Sequence, residues 1–161
     1  MDVVKFDKFQ ENRLLFKIIR YDAEDAYHDL LSLRTKVLRD GLLPFTPIEL
    51  QSEKDDLHIG LYRLGKAEAI GCFLIRRVGE WCQMRQVAID PSEQGKGLGS
   101  LLITYFEDYA LSTGVTHLFI EARAAAVPFY LRNGYKVLPE SFVNKGSGLV
   151  NYRLEKVLMA K

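Results

Sequence analysis

Between Met84 and Gly99 an apolar run, Met-Arg-Gln-Val-Ala-Ile, stops at Asp-Pro-Ser-Glu and gives way to Gln-Gly-Lys-Gly-Leu-Gly. Leu98, Leu101, Leu102, Tyr105, Phe106 and Tyr109 follow at spacings of three and four, which predicts an amphipathic helix ending near Thr113–Gly114. The helix therefore opens inside the glycine segment. Its first N–H groups have no partner within the helix and carry the positive end of the helix dipole. Glycines at 95, 97 and 99 remove the Cβ atoms that would hold a ligand off those donors. Together these features predict a cradle for a phosphate or pyrophosphate.

The rest of the chain places this cradle in a sheet. Residues 14–21 read as a first strand, followed by a helix with Asp22 as its cap, Asp25 at the third position and Tyr27, Leu30, Leu31, Arg34 and Leu38 on one face, Arg34 at its rim. Gly41, Pro44 and Pro47 break the pattern over 40–56, where 52–56 read as solvated and the segment as mobile. Strands at 58–63, 67–77 and 81–89 with short turns predict an antiparallel meander. The glycine segment, its helix and a strand at 115–122 form a strand–helix–strand unit, whose long crossover implies parallel strands. A short helix at 125–133 has Pro128 in its first turn and Gly134 as its stop. Strands at 135–138 and 149–157 flank a polar loop at 143–148. The fold class is α+β: a mixed, mostly antiparallel twisted sheet of six to seven strands with helices on both faces.

At 161 residues the expectation is one domain, 1–161, large enough to fold without disulfides. A net charge of +1 with mixed signs provides no electrostatic footprint for nucleic acid or a membrane surface. Cys72 and Cys82 sit in strand-like apolar runs, and the first residues lack a signal-peptide core, so a reduced, cytoplasmic protein is expected. His28, His58 and His117 have no metal-ligand spacing, and no metal is expected.

Gln94-Gly95-Lys96-Gly97-Leu98-Gly99 fits Gln/Arg-x-x-Gly-x-Gly/Ala, and Ala126-Val-Pro-Phe129-Tyr130-Leu-Arg-Asn-Gly134-Tyr135 fits Ala-x-x-Phe-Tyr-x-x-x-Gly-Phe/Tyr. In this order the two motifs resemble those of the GNAT superfamily of N-acetyltransferases, closely over 84–137. The resemblance implies transfer of an acetyl group from acetyl-CoA, a cosubstrate, to an amine of a small molecule or peptide. It also implies a parallel splayed pair at the coenzyme site, Val87, Ala88 and Ile89 presenting a free strand edge to the pantetheine arm. The N–H groups of Gly95, Lys96, Gly97, Leu98, Gly99 and Ser100, next to Gln94, would hold the pyrophosphate. Gly97 and Gly99 are the positions least tolerant of a side chain. Phe129 belongs to the coenzyme site, and Tyr130 stands where many members keep the tyrosine that protonates the leaving thiolate. Members are often dimers, so a homodimer is an expectation.

The base is less plain in the residues. Where some relatives place a glutamate, this chain has Gln83-Met-Arg-Gln86, and an amide cannot accept the proton. Glu121 is the nearest carboxylate by topology and a candidate acting through water; its alternative is a surface carboxylate or a partner for Arg123. Arg123 replaces the asparagine frequent in the second motif. Glu80 lies in a hairpin turn and is a lesser candidate. Cys82 is read as structural rather than as an acyl carrier. Tyr62 and Trp81, read as lying on adjacent strands, either line the acceptor groove or pack across strands. Residues 40–56 and 140–148 are expected to frame the acceptor.

Two other functions fit parts of the pattern. A non-catalytic acyl-CoA-binding or regulatory module of the same fold needs the cradle but no base. A dinucleotide site shares the strand–glycine–helix outline, but its third glycine comes one residue early here and no further strand–helix repeats follow. A Walker-type loop is excluded because Gly97, not Ser or Thr, follows Lys96.

Overall fold

The computed structural model describes residues 3–6, 13–40, 43–143 and 149–159. Eight strands among them form one sheet: β1 (Val3–Phe6), β2 (Leu14–Ile19), β3 (Leu57–Arg63), β4 (Ala69–Val78), β5 (Trp81–Ile89), β6 (His117–Arg123), β7 (Lys136–Val143) and β8 (Val150–Val157). Their order is β1-β2-β3-β4-β5-β6-β8-β7. The seven strands read from the sequence are all present, joined by β1, which pairs antiparallel with β2 at one edge. Among the described pairings, only β5 and β6 run parallel. Further strand–helix repeats of a dinucleotide fold are absent from the described residues.

Helices cover both faces. α3 (Leu98–Ser112) buries Leu98, Leu101, Leu102, Tyr105 and Phe106 against Phe16, Phe73, Met84, Leu118 and Ile120. α1 (Glu24–Leu38) buries Tyr27, Leu30 and Leu33 on the other face, against Leu15, Tyr62, Cys72 and Ala88. Removing such apolar surface from water at roughly 25 cal/mol per Å² is what holds these layers to the sheet. Two short helices, α2 (Pro47–Gln51) and α4 (Val127–Arg132), complete the described helices alongside two single turns of 3-10 helix.

Several local expectations are corrected. Asp22 does not cap α1: the N-cap is Ala23, without a side-chain bond, and Asp22 pairs instead with Arg20. The 40–56 segment holds α2, closed by a capping box in which Thr46 and Glu49 exchange hydrogen bonds. Nor are residues 52–56 all solvated. Glu53 is buried, and it binds Arg34, itself 1% exposed rather than at a rim, at 2.8 Å. Tyr62 and Trp81 are separated by β4, so they do not share a groove: Tyr62 is buried beneath α1, and Trp81 packs on His117 and Phe119. Gly41 and residues 144–148 of the predicted polar loop lie outside the described residues.

Candidate active site

The parallel pair sets the site. β5 and β6 are in register only from Trp81 opposite His117 to Met84 opposite Ile120. Beyond Met84, β5 stays with β4 while β6 stays with β8, so the two strands part. The cause is local. Cys72 faces Ala88 and Leu74 faces Arg85, so β5 carries an extra residue there, and Gln86 takes a φ of 52°. A bulge of this kind bends its strand and increases its twist, and a non-glycine residue in the left-handed region is uncommon enough to mark a constrained site. The edge of β5 over Arg85–Ile89, which includes Val87 and Ala88, is left without a ladder partner in β6.

At the end of β5 the chain is tied down before the glycines. Asp90 accepts from Ser92 N at 3.0 Å, and Gln94 Nε2 donates to the Ile89 carbonyl at 3.1 Å. Gly95 and Gly97 both have φ of 80°, and Gly97 is the N-cap of α3. Among the described residues no carbonyl or side chain takes up the N–H groups of Gly95 to Ser100. Nothing lies within 4 Å of where a Cβ at Gly97 would stand, so a side chain there is opposed by backbone strain and by whatever occupies that space. Gly99 is constrained differently: a Cβ would stand 2.9 Å from Phe129 Cζ, so the first turn of α3 packs directly on α4. Lys96 is exposed and pairs with Glu93 at 3.1 Å.

Where β5 and β6 part, a cavity of about 490 Å³ opens. Its floor is formed by Gln83 to Val87 of β5 and Ile120 to Arg123 of β6, and α4 contributes Tyr130. Leu38 and Arg39 from the end of α1, with Glu49, Ser52 and Glu53, wall it on the α1 side. Tyr130 and Glu121 therefore line one cavity. The Tyr130 residue is 5% exposed, and its phenol makes no hydrogen bond with a described residue. Burial pushes its pKa up from the ordinary phenol range, so at neutral pH it holds its proton. Glu121 Oε1 accepts from Gln83 Nε2 at 3.4 Å. Arg123 donates to the Leu38 carbonyl at 3.1 Å and has no bond to Glu121.

The family model for the acetyltransferase (GNAT) family matches residues 23–135. The chain belongs to the GNAT acetyltransferase family. A curated relative, described as the uncharacterized N-acetyltransferase YjcF of Bacillus subtilis strain 168, is 28% identical over 99 residues, spanning 61% of this chain and 68% of that one. The ribosomal-protein-S18-alanine N-acetyltransferase of Escherichia coli superposes with a TM-score of 0.71 at 18% identity, over 92% of this chain and 96% of that one. A GNAT acetyltransferase of Elizabethkingia anophelis, solved with acetyl-CoA bound, gives 0.68 at 16% identity, over 90% and 98%. At these identities the solved structures bear on the fold.

Within this GNAT chain, the remaining sequence candidates fall away from the cavity. Glu80 is exposed in the β4–β5 turn and does not line it. Cys82 is buried and points into the core under α3, its thiol pKa raised by burial; Cys72, on the other face, is pushed up to about 12 by burial. His58 is buried with Nε2 2.9 Å from the Glu53 carbonyl oxygen, and His117 lies beside Thr116. No group of three or more metal-ligating side chains occurs among the described residues. No helix among them is long and apolar enough to cross a membrane.

The sequence reading did not single out Arg39, Glu49, Arg76, Arg85 or Asn151, all of which line the cavity. One signal was legible: Thr46-Pro-Ile-Glu49 has the spacing of a capping box, which would have placed α2 and with it Glu49. The arginines carried none, because an alternating strand such as Met84-Arg85-Gln86 does not say which face is covered.

Proposed function

We propose that the chain is an N-acetyltransferase that moves an acetyl group from acetyl-CoA to an amine by direct attack in a ternary complex. The observation that carries this is the meeting, at one parting of parallel strands, of an open β5 edge, an unclaimed row of N–H groups and a cavity shared by Tyr130 and Glu121. The donors of Gly95 to Ser100 suit a pyrophosphate, since they combine free N–H groups with the positive end of the α3 dipole. The edge over Val87–Ile89 suits an extended amide-bearing arm, which would pair with it as an added strand. Phe129, against Gly99, closes the cradle beside Tyr130.

In the transfer step the amine nitrogen attacks the thioester carbon, forming the C–N bond and an oxyanion. Glu121, directly or through water, takes the proton that the nitrogen loses. The oxyanion collapses, the C–S bond breaks, and Tyr130 gives its phenolic proton to the departing thiolate. A thiol with a pKa near 8.5 is a good leaving group, so modest assistance is enough. The Gln83 amide orients the Glu121 carboxylate and replaces no part of its chemistry. Thermal-shift titration with acetyl-CoA, NAD and NADP, followed by thiol release with a panel of amines, tests the reading. Stabilisation by acetyl-CoA alone with thiol release supports it, and stabilisation without release on any amine supports the non-catalytic module of the same fold.

A further inference from the structure

Arg39, Arg76, Arg85 and Arg123 line the cavity, and their partners separate them. Arg39 Nη2 meets Glu49 Oε2 at 2.6 Å, one cation on one carboxylate. Arg76 takes both oxygens of Asp56, at 2.8 and 2.9 Å, and adds the Ser52 carbonyl. Arg85 reaches the same Asp56 with a single contact at 3.1 Å. Asp56 thus answers two guanidinium groups with one negative charge. Among the described residues Arg123, on the other parted strand, bonds only to the neutral Leu38 carbonyl.

We propose that the acceptor amine carries a carboxylate, held by Arg85 and Arg123, while Glu121 faces its amino group. This rests on the acetyl-transfer reading above and names its substrate class. The surplus of positive charge argues for it. On the α1 side of the cavity Arg34 cancels Glu53, and Arg39 cancels Glu49. What remains is Arg76, Arg85 and Arg123 against Asp56 and Glu121, an excess of one positive charge that a monoanion balances. Among the described residues only one of the five N–H donors of Arg85 is engaged, and a guanidinium matches a carboxylate by two parallel bonds. Burial, and the Arg76 charge beside it, both pull the Arg85 pKa down, so an incoming anion relieves a charge held at some cost. A polyamine would instead add cations to a cavity already in surplus.

The test is thiol release from acetyl-CoA with matched compounds: the L-amino acids, their carboxamides and the corresponding decarboxylated amines. Wild type should favour the carboxylates by at least about tenfold in kcat/KM, mainly through KM, as expected when a charge-assisted hydrogen bond is lost. Arg85→Gln and, separately, Arg123→Gln should bring that ratio towards one, and Arg85→Lys should restore part of it. Equal or better use of the carboxamides by wild type overturns the proposal, as does a ratio that survives both glutamine variants. If acetyl-CoA binds but no amine releases thiol, the transfer reading fails, and the same compounds are titrated into the coenzyme-loaded protein. There, Arg85-dependent preference for carboxylates upholds the acceptor site, and its absence refutes it.

Discussion

Gln83 on β5 donates its amide to Glu121 on β6 at 3.4 Å, one residue before the first strand leaves the parallel ladder and one residue after the second does. The bond spans the root of the cavity and fixes the carboxylate there. In the proposed transfer, Gln83 is thus a positioning residue for Glu121. Glu121→Gln should lower kcat by about 10²-fold, the usual scale for losing a general base. Gln83→Ala should cost less and shift the pH profile, which a purely structural loss would leave in place. Steady-state kinetics across pH with one good acceptor checks both.

Burial keeps the Tyr130 phenol protonated well above neutral pH, as the proposed acid role requires. Tyr130→Phe should reduce kcat by about 10- to 100-fold with little change in acetyl-CoA affinity. For wild type, kcat should show no falling limb below about pH 10, the ordinary phenol value. Unchanged turnover in the phenylalanine variant would remove Tyr130 from the mechanism.

Arg34 and Glu53 form a buried pair at 2.8 Å, and Arg34 Nε and Nη1 and Glu53 Oε1 have no hydrogen-bond partner among the described residues. Replacing one member strands the other's charge. Glu53→Ala should destabilise the fold by about 3–5 kcal/mol, measured as a fall in the urea midpoint. A double change of both residues to apolar side chains should cost less than the single one.

His58 lies against the same pair. Burial holds its pKa below the ordinary histidine value, opposed in part by its bond to the Glu53 carbonyl and by the Glu53 and Asp56 charges, and aided by that of Arg34. A neutral native imidazole and an unfolded one that titrates near about 6.5 mean that the unfolded state binds more protons as pH falls. Stability should therefore be full above about pH 6.5 and decline below it, down to the depressed native value. His58→Phe should flatten that slope in a pH series of thermal melts.

The elements were legible where periodicity was strong. The stripe of Leu98, Leu102 and Phe106 located α3 because an exposed helix has only one face to bury. β5 was read to its observed ends, Trp81–Ile89, since turn residues bound it on both sides. The bulge at Gln86 left no such mark, because an extra residue in one strand depends on its partner's register and not on its own composition. Arg34 failed for a related reason: a rim position was inferred from charge alone, while its burial depends on Glu53, nineteen residues away. Motif residues fared differently from the wall of the cavity. Gly97, Phe129 and Tyr130 are local signatures, whereas Arg85 and Arg123 come to line one cavity only because the sheet sets their strands side by side.

In the proposed function, coenzyme binding depends most on the free donors between Gly95 and Ser100, which hold the diphosphate. Isothermal titration of acetyl-CoA into wild type and Gly97→Val protein, with helicity matched by circular dichroism, addresses that dependence directly. Wild type should bind acetyl-CoA and not NAD, and Gly97→Val should lose the heat of binding altogether. A folded Gly97→Val protein that keeps wild-type affinity would contradict the account.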